Sequence, residues 1–569
     1  MRLRTVLFAF LFAFAIPAAQ AQSNQPEKKD VSETPPDTKA FQNASHLTDP
    51  AEKIVALENF KKDFPDSPFV ENANLAILGT LAANMPGQTA RIREFAKTIL
   101  SGAKDKKQKG SLSADVAETL LTNKVLLNDA EKYAKTSVDS MNQSQFIADQ
   151  KAQFAKRAAA AKNEEDRPKP PTDQELIKRF NQSRANRLAT LGRIEFELGK
   201  TPAALKIVNE AHAADHDQPG AEGTLGEIAL QKGDNAQALE YLVAARLAGQ
   251  SGGSTIAALS SAYSKTHNGT TAGLDEMLDA EYRKRFPEPL HLDAYKPTAK
   301  RSDRMVLAEV FTGSGCPPCV GADLAFDAAM ERYSRKELAV VMYHQHVPRP
   351  DPMTNSDTQA RSKYYAVGGV PTYFIDGSKV DYNGAGRDDT KSVWEHIQKP
   401  IEKELDNPAE DKIDVQASVV GNSVKVSATV ASVKTESKDL KVHILLLEKE
   451  LTYSGENGIR FHPMAVRAMG GKDDDGFALD PAAPAPVEQV WDLDKISASL
   501  KKQLDDYEAK GHRGNPFKFI DKKYQIDRGN LAVVVFIQDA KTKHVLQAAF
   551  VDLNPQSPHV TSSNSGESR

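Results

Sequence analysis

Cysteine is nearly absent from this chain: there are two in 569 residues, Cys316 and Cys319. A framework of many structural disulfides, the usual staple of small secreted domains, is thereby excluded. No charge of one sign predominates either, since 73 Lys and Arg stand against 77 Asp and Glu. That balance removes the electrostatic case for nucleic acid or an anionic membrane as the main partner. Beyond the first 21 residues no segment has the roughly 20 apolar residues a bilayer span requires. With no cysteine near Ala21, a lipoprotein anchor is not expected.

What is present begins with Arg2 and Arg4, an apolar run over residues 6–16, Pro17, and the small-residue site Ala19-Gln20-Ala21. This is the layout of a secretory signal peptide over residues 1–21, with cleavage expected after Ala21 and a periplasmic or secreted destination. Residues 22–45, polar and punctuated by Pro26, Pro35 and Pro36, read as a disordered linker, and residues 556–569 as a disordered tail. A single core stops growing near roughly 250–300 residues, so a chain of this length is expected to be multidomain.

Residues 46–290 have helical periodicity, with Ile54, Leu57 and Phe60 on one face. Thr172 or Asp173 can cap a helix that restarts at Leu176 after Pro168, Pro170 and Pro171. Within this region Thr190-Leu191-Gly192, Ile194, Gly199, Ala204, Leu205 and Ala211 recur as Thr224-Leu225-Gly226, Ile228, Gly233, Ala238, Leu239 and Ala245. A weaker third unit follows at Ala258 and Leu259. The offset of 34 residues resembles the tetratricopeptide repeat, which implies an all-α solenoid of stacked helix hairpins. Such a solenoid either docks a protein or scaffolds its neighbour.

Residues 296–406 alternate strand and helix, an α/β pattern, and residues 410–555 are mainly β, with an alternating hairpin about Gly421-Asn422. An antiparallel, sandwich-like domain is expected there. The two cysteines open the helix of the α/β region in Phe311-Thr312-Gly313-Ser314-Gly315-Cys316-Pro317-Pro318-Cys319. A disulfide between them closes almost no loop, so as a staple it would contribute little. At a helix N-terminus, by contrast, unpaired N–H groups and the helix dipole stabilise a thiolate. The spacing therefore favours redox chemistry.

With Gly368-Gly369-Val370-Pro371-Thr372 and the strand that follows, this segment resembles the thioredoxin superfamily. The resemblance implies that Cys316 is the nucleophile and Cys319 the resolving thiol, that the two form a disulfide, that Pro371 is cis, and that Val370 offers backbone hydrogen bonds to substrate. It implies a thiol-disulfide oxidoreductase acting on protein thiols and disulfides, with no organic cofactor and an electron partner it does not name. The Phe-Thr-Gly-x-x-Cys start, together with His462-Pro463-Met464-Ala465-Val466-Arg467-Ala468, is similar to exported thioredoxin-like proteins grouped under a small bacterial outer-membrane protein.

Two positions depart from that pattern. Gly315 stands where Trp is usual, and Val310 occupies the place of a buried acid, with Glu309 pointing to the other face of the strand. Proton transfer then falls to water or another group, His344 among them. His344 and His346, with two thiolates, would suit copper handling, but the spacing is not that of a zinc finger and no metal ligand is assigned. The remaining alternative is a non-enzymatic envelope scaffold whose cysteine pair is structural. The insert over residues 347–357 is expected either to border the cysteines or to be a plain surface loop. Direction of electron flow is left open.

Overall fold

The structure is a computed structural model that describes residues 35–160, 170–249, 252–382, 384–409, 411–433, 437–471, 475–482 and 484–553. The expected signal peptide, the linker before residue 35, Pro168 and the tail lie outside the described residues. The chain divides into two units, Met1–Leu278 with Tyr507–Lys518, and Asp279–Asp506 with Phe519–Arg569.

The first unit is built from helices, the earliest being Pro36–His46. Residues 36–45 were expected as linker, so here the structure differs. Phe41, on that helix, stacks on Phe69 at 5.0 Å and packs against Phe60, and this apolar contact outweighs the polar composition that marks a linker. Helix starts follow side-chain chemistry. Asp49 accepts from the N–H groups of Ala51 and Glu52, and Thr172 forms a capping box with Glu175.

The 34-residue period becomes geometry in two consecutive hairpins, Asp173–Glu197 with Thr201–Ala214 and Pro219–Gln231 with Asn235–Leu247. Gly199 and Gly233 take φ of +76° and +81° in the turns, a region glycine enters without steric cost. Gly192 and Gly226 sit at the helix crossings. A β-carbon there would lie 2.4 Å from Val208 Cγ1 and 2.5 Å from Leu242 Cγ, respectively. Gly226→Val is therefore expected to cost about 1–3 kcal/mol through overpacking, read as a lowered urea midpoint. Gly87→Ala, where an added carbon meets nothing within 4 Å, should leave it in place.

In the second unit the strands are β1 (Val306–Thr312), β2 (Leu338–His344), β3 (Thr372–Ile375), β4 (Ser378–Lys379), β5 (Lys412–Val420), β6 (Ser423–Ser432), β7 (Leu440–Thr452), β8 (Phe461–Met469), β9 (Phe477–Ala478), β10 (Val487–Asp492), β11 (Leu531–Asp539) and β12 (Val545–Asp552). Nine of them form one mixed sheet in the order β12-β11-β7-β8-β2-β1-β3-β4, with β9 on β7, and β10-β6-β5 form a second sheet. β1 and β2 pair in parallel, and both are buried along their whole length, as strands covered on both faces must be.

A separate sandwich over residues 410–555 is not what forms. β7, β8, β11 and β12 extend the sheet of β1 and β2 through a bridge at Met342 and Ala465, which places β8 along the edge of β2 that β1 leaves. Sandwich packing does occur between the two sheets. Val533, Val535 and Ile537 of β11 face Val424, Val426 and Val430 of β6, while Val534 and Phe536 belong to the core around β1. The expected turns are found: Gly421 has φ +61°, and Asp376 and Gly377 both have positive φ between β3 and β4.

Candidate functional site

β1 runs into the loop Gly313 to Pro318 and then into the helix Cys319–Arg332. Cys316 and Cys319 are joined as a disulfide. Cys316 N–H donates to Gly313 O, and Cys319 N–H to Cys316 O, so the pair occupies a tight turn at the first residue of the helix. Pro317 and Pro318 are exposed, whereas Cys316 is 1% and Cys319 0% exposed.

The structure brings the two halves of the expected motif together. The Val370–Pro371 bond is cis, and Cys316 Sγ lies 3.7 Å from Val370 O. The segment 384–386 stitches the two. Ala385 N–H donates to Pro318 O and Ala385 O accepts from Gly321 N–H. Gly384, at φ +75°, has room for no β-carbon, because one would meet Pro371 Cγ at 2.3 Å and Pro318 O at 2.4 Å.

Behind the cysteines is a buried polar cluster that contains His344, the candidate named above for proton transfer, together with two acids that the sequence reading missed, Asp323 and Asp351. Asp323, one turn along the helix from Cys319, accepts from Thr312 Oγ1 at 2.8 and 2.9 Å through its two oxygens. Burial pushes its carboxyl up to about 7, with Asp351 adding to the rise and the Thr312 bond and His344 opposing it. Thr312 pairs across the sheet with His344. His344 Nδ1 contacts Asp351 Oδ2 at 2.8 Å, and that carboxylate also accepts from the N–H groups of Ser314 and Met353. Burial alone would raise Asp351, but the His344 ring and the two N–H groups outweigh it and hold it well below the usual carboxylate range.

His462 stands 5.2 Å from His344, ring to ring, and its Nε2 contacts Tyr453 O. Burial lowers it to about 3. His346 accepts from Asp351 N–H and is lowered by burial to about 4. Glu309, the acid nearest the expected place in sequence, is committed elsewhere: it accepts from Arg361 Nε at 2.7 Å and from Arg361 Nη2 at 3.0 Å. The tyrosines Tyr343 and Tyr365 donate to it as well.

The Asp323 shift has a measurable consequence. An unfolded Asp loses its proton near 3.8, so between there and about 7 the folded chain keeps a proton that the unfolded chain has released. Stability therefore falls as pH rises through this window and levels off above it. At about 1.4 kcal/mol per pH unit, the window is worth about 4 kcal/mol at most. Asp323→Asn, which can still bond Thr312, is expected to flatten the slope in urea midpoints of the oxidised protein at pH 4.5, 6 and 7.5. A parallel slope in the variant would assign the pH dependence to other groups.

The insert expected to border the cysteines or lie on the surface does border them: a β-carbon on Gly313 would sit 2.5 Å from Val347 O. The tip between β7 and β8 reaches the cysteine loop as well. Asn457 N–H donates to Ser314 O at 3.0 Å, and Asn457 Nδ2 lies 3.4 Å from the carbonyls of Gly313 and Cys316. Gly315, which departs from the Trp usual in the resembled family, faces this tip. A β-carbon there would meet Glu456 Oε2 at 2.8 Å and Arg349 Cβ at 3.0 Å.

The described residues thus define a two-unit protein, helical repeats in one unit and, in the other, a mixed sheet bearing a Cys-x-x-Cys disulfide at a helix N-terminus. Among them no helix is long and apolar enough to cross a membrane. No family model and no curated protein matches the chain. Among solved structures, parts of it are similar to HBP35 of Porphyromonas gingivalis, at 14% identity over 47% of this chain and 81% of that one, with a TM-score of 0.32. A further match is to the TPR2AB-domain:pHSP90-complex of yeast Sti1, at 14% identity over 44% of this chain and 96% of that one, with a TM-score of 0.15.

Proposed function

We propose that this chain is an exported thiol-disulfide oxidoreductase of thioredoxin-like type, which exchanges disulfides with protein partners through Cys316 and Cys319. The observation that carries the reading is the disulfide at the helix N-terminus against the Val370–Pro371 bond. In the reduced protein, Cys316 as thiolate attacks one sulfur of a partner disulfide, and the other sulfur leaves and takes a proton. Cys319 then passes its proton to the Asp323 carboxylate and attacks Cys316 Sγ, which releases the second partner thiol and closes the Cys316–Cys319 bond. The reverse sequence donates a disulfide. Val370 O and N–H are the backbone groups offered to the partner chain. The tetratricopeptide-like hairpins supply a surface for protein docking.

A second reading has one observation in its favour: both cysteines are buried, as they would be in an inert pair within a scaffold. Turnover separates the two. With a disulfide-bonded peptide and glutathione as co-substrates, the proposal expects catalysed exchange that saturates with peptide. A rate equal to the uncatalysed reaction at every protein concentration would leave the scaffold.

A further inference from the structure

Two imidazoles meet in the first unit, at the turn between the helices Thr201–Ala214 and Pro219–Gln231. His212 Nε2 and His216 Nδ1 lie 3.2 Å apart, with the ring planes at 85°. At the other end of the His212 ring, Nδ1 lies 2.5 Å from Glu222 Oε1, and the Glu222 side chain is 3% exposed. The helix hairpin does not require these three groups. One repeat on, 34 residues along, their positions hold Arg246, Gln250 and Ile256, whereas the glycines of the turns and crossings recur.

A carboxylate against one ring nitrogen is the environment that commonly stands behind a metal-ligating histidine. It favours a proton on Nδ1 and so leaves a lone pair on Nε2, the atom that faces His216. That lone pair and one on His216 Nδ1 can share an ion. Bonds of about 2.0–2.1 Å from each nitrogen meet at about 100–105° across the 3.2 Å gap, between the square-planar and tetrahedral angles. The His212 side chain is 30% exposed and His216 is exposed, so an ion can enter from solvent and the His216 ring can turn onto it. Acids predominate nearby. Glu222 touches His212, and Asp215 and Asp217 flank His216, with Lys178 the cation that acts on Asp215; such a field attracts cations.

We infer that His212 and His216 are the two protein ligands of a divalent transition-metal site, with Glu222 positioning His212. No cluster of three or more His, Cys, Asp or Glu side chains placed to hold an ion occurs among the described residues, so water fills the remaining positions. Two imidazoles completed by water suit copper(II) above nickel(II) and zinc(II).

The test is a titration of the full oxidised chain with copper(II), supplied as its glycine complex, followed by calorimetry and by the nitrogen couplings in the electron paramagnetic resonance spectrum. One ion per chain, coupled to two imidazole nitrogens, is the expected result. Glu222→Gln is expected to weaken binding about tenfold with both couplings retained. His216→Ala, which removes a ligand, should weaken it further and abolish one coupling. His291→Ala, which removes an exposed histidine of the second unit, should change neither. His216 is exposed in a turn, so its variant folds even should the buried Glu222→Gln fail to.

Equal affinity in wild type and His216→Ala, or a single nitrogen coupling in wild type, means an adventitious ion only and overturns the site. An affinity that a folded Glu222→Gln leaves unchanged overturns the positioning role of Glu222.

Discussion

Cys316→Ser is expected to lower disulfide exchange by on the order of 10³-fold or more, since the hydroxyl that replaces the thiolate is not a nucleophile at neutral pH. Cys319→Ser should behave differently. It retains the first attack but cannot resolve it, so the variant accumulates a covalent adduct with a disulfide-bonded peptide, seen as a reductant-sensitive mass increase on Cys316. The contrast depends on position. Cys316 lies 3.7 Å from Val370 O in the loop, while Cys319 is the first residue of the helix and fully buried beside the turn that holds Asp323. Neither change should unfold the protein, because the bond closes so short a loop that it adds little to stability. Equal loss in both variants with no adduct would mean that the two sulfurs do not have separate roles.

The largest expected effect on stability lies at the buried ion pair of Glu309 and Arg361. Arg361, 1% exposed, donates to both oxygens of Glu309 and to Gln538, with Tyr365 donating to the same carboxylate. Arg361→Met removes the cation and leaves a fully buried carboxylate with its two tyrosine hydrogen bonds but no counter-charge, at a cost of about 3–5 kcal/mol. The double variant with Glu309→Leu should recover part of that, because two apolar side chains of similar volume replace the pair without stranding a charge, although the Tyr343 hydroxyl loses its acceptor. Denaturant midpoints of the two variants decide this. A double variant no more stable than Arg361→Met would locate the cost in lost packing of the guanidinium against Tyr364, Tyr365 and Phe536.

How far the site could be read from sequence depends on the range of the interactions involved. The helical hairpins declared themselves because Gly192, Gly199, Gly226 and Gly233 are fixed by local turns and crossings that repeat at one spacing. The cysteine turn and the Val370–Pro371 segment were found as motifs, each short and contiguous. What escaped was assembled from afar. Asp323 meets Thr312 across the cysteine loop, Asp351 reaches back to Ser314 and His344 from the insert, and Asn457 arrives from a tip more than a hundred residues on. A signal for Asp323 did exist: it is an acid one helical turn from Cys319 among Val320, Ala322, Leu324 and Ala325, where an amphipathic pattern has no place for it. Nothing local marked β8 as the neighbour of β2, because strand alternation states which face is buried and not which edge is shared. Residues 36–45 show the opposite failure: a polar composition concealed the apolar contacts of Phe41 with Phe60 and Phe69.

Disulfide exchange requires that the Cys316–Cys319 bond be poised for reduction and re-formation. The direct measurement is its equilibrium with glutathione at pH 7, by alkylation and intact mass across a range of thiol-to-disulfide ratios. The expected result is a two-electron transition with a potential between about −270 and −120 mV, the range of disulfide-exchanging proteins of this kind. A bond that stays oxidised under all ratios, with a potential below about −300 mV, is a structural disulfide and would contradict the proposed function.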